Sequence, residues 1–213
     1  MDKIELHNTL PCVFEGRDVK SDIWLQDVIF QKGETILVEA SSGTGKSSLC
    51  SYIIGYRKDY LGNILIDGKD IRQHSVSDWT KVRQHNLSLL FQELRLFPEL
   101  TALENVQIKN GLTNHKSVNE IEDWFHRLGI ADKMASKVGL MSFGQQQRVA
   151  MIRALVQPFD FLMVDEPISH LDDENSAIMC EIMMEEVRRQ GAGVIVTSIG
   201  KHMNMSYDKT YRL

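Results

Sequence analysis

The feature that most constrains the fold is a glycine-rich turn between a short apolar run and an amphipathic stretch. Thr35–Glu39 predicts a buried strand, Ser47–Ile54 predicts a helix, and Gly45 and Lys46 lie in the turn between them. Glycines in such a turn let the backbone bring its N–H groups close to an anion, and the helix N-terminus adds the positive end of its dipole. The sequence therefore predicts a strand, loop and helix unit that binds phosphate.

The loop has residues suited to a nucleoside triphosphate. We expect Lys46 to reach the β- and γ-phosphates and the Ser47 hydroxyl to ligate Mg²⁺. The pattern G-x-x-x-x-G-K-[ST] has Ala40 in place of its first Gly, which the backbone accepts if φ is negative there. The alternative is a turn that binds nothing. The loop residues expected to contact nucleotide are Ser41, Ser42, Gly43, Thr44, Gly45, Lys46, Ser47 and Ser48.

Further apolar runs predict the rest of the sheet. Leu87–Phe91, Phe159–Val164 and Gly193–Thr197 are continuously apolar, which indicates parallel strands covered on both faces. The first thirty residues instead alternate between apolar and polar positions, with Trp24 among the apolar ones, and predict antiparallel strands at the edge of the sheet. The fold expected is α/β.

A mostly helical region separates the second and third strands. Its clearest amphipathic segments are Val118–Leu128 and Gln145–Val156. We expect a helical lobe, about 93–157, inserted in a single domain that spans 1–213.

The third strand ends in two carboxylates, Asp165 and Glu166. Ligands of α/β sheets bind at the carboxyl ends of strands, so the pair is expected near the phosphate loop. Asp165 would hold Mg²⁺ through water, and Glu166 would polarise a water for attack on the γ-phosphate. The alternative, a pair that merely begins a loop, is the minority interpretation downstream of a phosphate loop.

Composition excludes several classes of protein. The formal net charge is −5 and there is no Lys/Arg block, which argues against a nucleic-acid partner. The longest apolar runs are strand-sized, far below the ~20 residues that a membrane span needs. No leader pattern opens the sequence. Cys12, Cys50 and Cys180 have no metal-ligand or disulfide spacing and are expected to be free thiols in a reducing cytosol.

The run Met141–Ala150 resembles the signature motif of ATP-binding cassette (ABC) proteins. Ser142, Gly144 and Gln145 match it, whereas Met141 and Phe143 replace Leu and Gly. The resemblance implies a P-loop core with a mainly parallel sheet, an N-terminal antiparallel β edge and an inserted helical lobe. It also implies an antiparallel dimer in which Ser142, Gly144 and Gln145 of one chain cover ATP bound by the other.

Other family positions occur in order along the chain. Gln92 matches the glutamine that contacts Mg²⁺ and the attacking water, and 169–172, with Asp172, matches the loop that lines the dimer seam. Phe14 matches the aromatic on which adenine stacks. Ser198 stands where the family has a histidine that touches the γ-phosphate, so hydrolysis is expected to be slow or specialised.

The resemblance implies an ATP-hydrolysing subunit that drives a membrane permease as a homodimer or heterodimer, with ATP and Mg²⁺ bound. Such a subunit is cytoplasmic, on the inner face of the membrane, and a groove between lobe and core receives a cytoplasmic helix of the permease. Phe91–Val106 resembles the lipoprotein-release, macrolide-export and cell-division branch. The alternative is a nucleotide-gated regulatory subunit of a membrane complex. A DNA-repair or translation cassette would need tandem cassettes or long inserts, and a small-molecule kinase would have no use for the signature.

Overall fold

Strands and helices alternate along most of the chain. The computed structural model describes residues 1–168, 171–200 and 202–213. The strands in these ranges are β1 (Lys3–Pro11), β2 (Asp27–Gln31), β3 (Thr35–Glu39), β4 (Tyr60–Ile66), β5 (Lys69–Asp70), β6 (Leu87–Leu90), β7 (Phe161–Asp165), β8 (Gly193–Ser198) and β9 (Lys209–Arg212). The helices are α1 (Lys46–Ile53), α2 (Val76–His85), α3 (Ala102–Asn110), α4 (Val118–Arg127), α5 (Phe143–Leu155) and α6 (Asp173–Gln190).

A parallel sheet in the order β6-β7-β8-β3-β9 forms the centre. The predicted strands are confirmed with small changes at their ends, such as the start of β7 at Phe161 rather than Phe159. Both faces are buried. Leu37 and Val164 pack with the helices α3 to α6, whereas Ile36 and Met163 pack against α1 and the antiparallel strands. Two-sided burial explains why these strands have continuous apolar runs.

The register of this sheet places polar side chains at one edge. Glu39 pairs with Ser198 across β3 and β8, and Asp165 pairs with Thr197 across β7 and β8. Since all these strands are parallel, their carboxyl ends meet where the phosphate loop leaves β3.

The antiparallel strands form a sheet of their own, in the order β2-β1-β4-β5, rather than extending the parallel sheet. β1 has antiparallel neighbours on both sides, and its apolar residues Ile4 and Leu6 are fully buried toward α1 and the central sheet. Trp24, which the alternation places in a strand, lies in the turn before β2.

Helices α3, α4 and α5 lie between β6 and β7, as predicted. Ser and Thr caps fix their starts, with a reciprocal partner at the third helical residue: Thr101 with Glu104, Ser117 with Glu120, and Ser142 with Gln145. The treatment of about 93–157 as a separate lobe stays a prediction. No helix within the described residues has the length and apolar character needed to cross a membrane.

Candidate functional site

The phosphate loop has the backbone that an anion site requires. Gly43 and Gly45 have φ of 83° and 97°, which glycine adopts without strain, and Gly45 is the N-cap of α1. A Cβ on Gly45 would also lie 3.1 Å from the Phe14 ring and 3.2 Å from the Trp24 ring. Ala40 does not have a positive φ, so its methyl group is compatible with the loop.

Lys46 connects the loop to the acidic pair. Its side chain is only 6% exposed, and Nζ donates to Asp165 Oδ1 at 2.9 Å and to Glu166 Oε1. Burial alone would lower the pKa of Lys46, but the hydrogen bonds to Glu166 and Asp165 outweigh it and raise the pKa. Two segments that lie far apart in sequence therefore meet through one charged cluster.

The strand ends complete this cluster. Thr197 Oγ1 donates to Asp165 Oδ1, and the backbone N–H of Glu166 donates to Thr197 O at 3.0 Å. Ser198 is buried, and its carbonyl accepts from the Ala40 N–H at 3.0 Å, where the phosphate loop begins. Ser198 thus lies at the edge predicted for it.

Glu166 has an unusual backbone. Its φ is 49°, in the left-handed region that non-glycine residues seldom adopt. The Gln147 side chain, on α5, donates to Pro167 O and, at 3.4 Å, to Glu166 O. The helix that begins at the signature therefore also holds the turn that carries Glu166.

A cavity of about 510 Å³ gathers many of the predicted residues. Phe14 and Arg17 lie along it with the phosphate loop, Gln92 and Glu166. The predicted residues that line it are Phe14, Ser41, Ser42, Gly43, Gly45, Lys46, Ser47, Ser48, Gln92 and Glu166. Asp165 is buried behind Lys46 instead, and Thr44 turns its carbonyl toward Trp24.

The signature lies outside that cavity, at the start of α5. Ser142 Oγ accepts from the Gln145 N–H at 3.3 Å, and Gln145 Oε1 accepts from the Ser142 N–H at 3.0 Å. Phe143, the first residue of the helix, is 43% exposed. In a single chain these residues cap a helix, and a nucleotide role for Ser142, Gly144 and Gln145 stays a prediction.

Asp172 also caps a helix. It is the N-cap of α6 and accepts from the Asn175 N–H at 2.8 Å; this bond holds the pKa of Asp172 below its usual range. Arg148 links α5 to this cap by donating to Asn175 Oδ1 at 2.8 Å. Ser169 and His170, from the predicted seam loop, lie outside the described residues.

The donor set fits Mg²⁺ bound together with a nucleotide. Within the described residues there is no group of three or more His, Cys, Asp or Glu side chains that could hold a metal. Mg²⁺ is commonly held by one or two carboxylates together with substrate phosphates. Asp165, the Ser47 hydroxyl and the Gln92 amide would supply that kind of partial set, and their role as Mg²⁺ ligands stays a prediction.

Sequence reasoning missed the role of Trp24. The side chain is 1% exposed, its Nε1–H donates to Thr44 O at 2.9 Å, and its ring packs against Gly45. Trp24 thus anchors the phosphate loop without lining the cavity itself. The alternating pattern shows only that Trp24 is apolar, and no local signal reports a bond to a residue twenty positions away.

Comparisons with known proteins identify the family of this chain. The sequence profile of the family described as ABC transporter matches residues 26–169. The ABC transporter ATP-binding protein YtrE of Bacillus subtilis (strain 168) is 31% identical over 187 residues, covering 85% of this chain and 80% of the relative. The lipoprotein-releasing system ATP-binding protein LolD of Roseobacter denitrificans is 31% identical over 191 residues, covering 88% and 84%.

Solved structures show the same fold. The dimeric ATP-binding cassette MJ0796, in a post-hydrolysis state bound to ADP and Pi, superposes with a TM-score of 0.73 at 26% identity. The match covers 92% of this chain and 87% of that one. Fold and site together define a P-loop ATPase. More particularly, the chain belongs to the ABC transporter family of ATP-binding domains, and the likeness to LolD agrees with the branch that Phe91–Val106 indicates.

Proposed function

We propose that this chain binds ATP with Mg²⁺ in the cavity beside the phosphate loop and hydrolyses it to drive a membrane permease. One observation carries the proposal: Lys46, the first residue of α1, is buried, and its ammonium group is hydrogen-bonded to both carboxylates of the acidic pair. This arrangement suits a nucleotide that offers its phosphates to Lys46 and its metal to Asp165.

The proposed chemistry divides among the chain's own residues. Lys46 and the loop N–H groups hold the β- and γ-phosphates, and Phe14 supplies a face for adenine. The γ-phosphate replaces Glu166 as a partner of the Lys46 ammonium. Gln92 orients the attacking water, and the released Glu166 carboxylate accepts a proton from that water. Bound Mg²⁺ would neutralise charge on the phosphates. Ser198 would donate one hydrogen bond toward the γ-phosphate but adds no positive charge.

The second part of the proposal is an antiparallel dimer with two shared sites. The N-terminus of α5 presents N–H groups and the Ser142 hydroxyl, but it lies outside its own chain's cavity. A second copy or a related subunit brings a nucleotide to it, as the dimeric form of MJ0796 suggests. We propose that the dimer works on the cytoplasmic face of the membrane beneath the permease.

Glu166→Gln tests the dimer. The variant keeps the phosphate-binding residues and loses the water-activating carboxylate, so ATP should accumulate between two chains as a stable dimer. Size-exclusion chromatography with ATP and Mg²⁺ should show a dimer peak that Lys46→Ala, added to the same variant, abolishes. A Glu166→Gln protein that binds ATP yet stays monomeric would contradict the shared-site arrangement.

A nucleotide-gated regulatory subunit is the second candidate. It is favoured by Ser198, a buried and uncharged side chain at the position of the family's histidine, and by the bulky Phe143 in the signature. The turnover rate of the chain with its membrane partner separates the two candidates. A regulatory subunit should bind ATP but hydrolyse it more slowly than the membrane partner transports its substrate.

A further inference from the structure

A second cavity, of about 810 Å³, lies between α6, the start of β3 and the segment 204–208 that precedes β9. It shares no described lining residue with the nucleotide cavity. Three sulfur-bearing side chains line it, Cys180 and Met184 from α6 and Met205 from the segment before β9. We refer to these three residues as the sulfur cluster. The proposed ATPase chemistry uses none of them.

The sulfur atoms of Cys180 and Met205 are in direct contact. The Cys180 thiol donates to Met205 Sδ across 3.7 Å, which joins two segments 25 residues apart in sequence. Cys180 is 8% exposed and is not part of a disulfide. Met184 follows Cys180 by four residues, so the two side chains lie on the same face of α6. A thiol and two thioethers therefore border one part of the cavity.

The other methionines of this region have a different position. Met179, Met183 and Met203 are fully buried in the apolar core, and none of them lines the cavity. Met184 and Met205 are only partly buried and face the cavity. Core packing therefore accounts for the first three methionines, whereas the thioethers of the last two are accessible to a ligand.

The chemistry of the sulfur cluster suits a soft monovalent cation. Thiolate and thioether ligands together favour Cu(I), whereas Mg²⁺ and Ca²⁺ prefer oxygen ligands. If metal–sulfur bonds are about 2.3 Å long, as for zinc, two sulfur atoms at this separation enclose an angle of about 107° at a shared ion. That angle suits an ion with three or four ligands, so Met184 has a place as the third. A monovalent ion that replaces the thiol proton also leaves the net charge of this mostly buried cluster unchanged.

The charged groups around the cavity also favour a cation. Glu181, Glu185 and Asp208 line it together with Arg188. Both glutamates pair with Arg127, which lies outside the lining. Three carboxylates and two guanidinium groups leave one negative charge near the sulfur cluster, and this charge attracts a cation rather than an anion.

We propose that Cys180, Met184 and Met205 form a binding site for a soft monovalent metal ion of the Cu(I) class. The Cys180 thiol loses its proton to solvent and its sulfur bonds to the ion, while each thioether donates a lone pair. No electron is transferred, so the ion stays monovalent. The bound ion joins α6 to the segment before β9 and stabilises the folded chain. The proposal does not depend on ATP binding or hydrolysis.

The test uses the full chain under anaerobic conditions, with Cys12→Ser as the background because Cys12 is an exposed thiol outside the cluster. Cu(I), supplied in competition with the chelator bicinchoninate, should bind one equivalent and raise Tm, and equimolar Zn(II) should not displace it. Cys180→Ser should abolish both effects. Met205→Leu and Met184→Leu, which remove sulfur at similar side-chain volume, should each weaken Cu(I) binding at least about tenfold. Met179→Leu, the matched control on the buried face of α6, should leave Cu(I) affinity unchanged.

Four results would overturn the proposal. They are absence of Cu(I) binding in the background protein, unchanged binding in Cys180→Ser, equal Cu(I) affinity in Met205→Leu and Met179→Leu, and displacement of Cu(I) by equimolar Zn(II). If Cys180→Ser does not fold, the comparison of Met205→Leu with Met179→Leu decides the question. Absence of ATP turnover in the wild type would instead count against the proposed function and would leave the Cu(I) result standing.

Discussion

The bond from Trp24 to the phosphate loop leads to a measurable expectation for ATP affinity. Trp24→Phe keeps an aromatic ring in the pocket but removes the Nε1–H that donates to Thr44 O at 2.9 Å. A hydrogen bond of this kind contributes about 1 kcal/mol net, and a buried carbonyl left without a donor costs about 1–3 kcal/mol. The bond from Trp24 orders the phosphate loop before ATP binds. Without it, part of the free energy of ATP binding is used to order the loop.

If about 1 kcal/mol of that cost appears in binding, the Kd for ATP should rise about fivefold, and turnover at saturating ATP should change less. Isothermal titration calorimetry measures the first quantity and a steady-state ATPase assay the second. Trp79→Phe is the matched control, because the Trp79 Nε1–H is buried without a hydrogen-bond partner among the described residues. Unchanged ATP affinity in a folded Trp24→Phe protein, or an equal loss in both variants, would refute the reasoning.

Two further changes test the site and the fold. Ser198→His adds a donor at the position of the family's histidine and should raise turnover by ~10-fold with a smaller change in ATP affinity; no gain with or without the membrane partner would show that Ser198 does not limit hydrolysis. Tyr60→Phe should raise the free energy of unfolding in urea by about 1 kcal/mol, because the buried Tyr60 hydroxyl has no hydrogen-bond partner among the described residues. Tyr52→Phe is the control: it loses a hydrogen bond to Asp59 O at 3.1 Å and should lower the free energy of unfolding. Burial raises the pKa of Tyr60 to about 12 from 10.0, so the wild type should lose stability as pH rises through that interval while Tyr60→Phe loses less; parallel pH profiles would contradict this assignment.

The sequence predicts the parts of the site that depend on local pattern. The phosphate loop has its glycines at the left-handed positions, and the acidic pair lies at the end of a strand, Phe161–Asp165, whose residues are all buried. Parallel strands place their carboxyl ends together, so the meeting of Lys46 with Asp165 follows from the order of elements.

Other features depend on contacts that no local pattern reports. Lys46 is 6% exposed, and the glycine-rich loop alone does not predict that burial. β4 lies between β1 and β5 in the antiparallel sheet, but Gly62 and Asn63 interrupt its apolar alternation, so the separate antiparallel sheet is not visible in the sequence. Ser142 and Asp172 are helix N-caps in this structure. Ser and Asp are common N-cap residues, so the sequence motif alone does not separate capping from nucleotide binding.

The left-handed backbone of Glu166 limits which amino acids evolution can place there, independently of chemistry. At φ of 49° a β-branched residue is strongly disfavoured, whereas Gly, Asn and Asp are accepted more readily. A saturation library at this position, selected for folded protein alone, should therefore lose Val, Ile and Thr before any selection for hydrolysis is applied. Inactive descendants of this chain would then be expected to carry Asn, Asp or Gly at the position rather than an arbitrary residue.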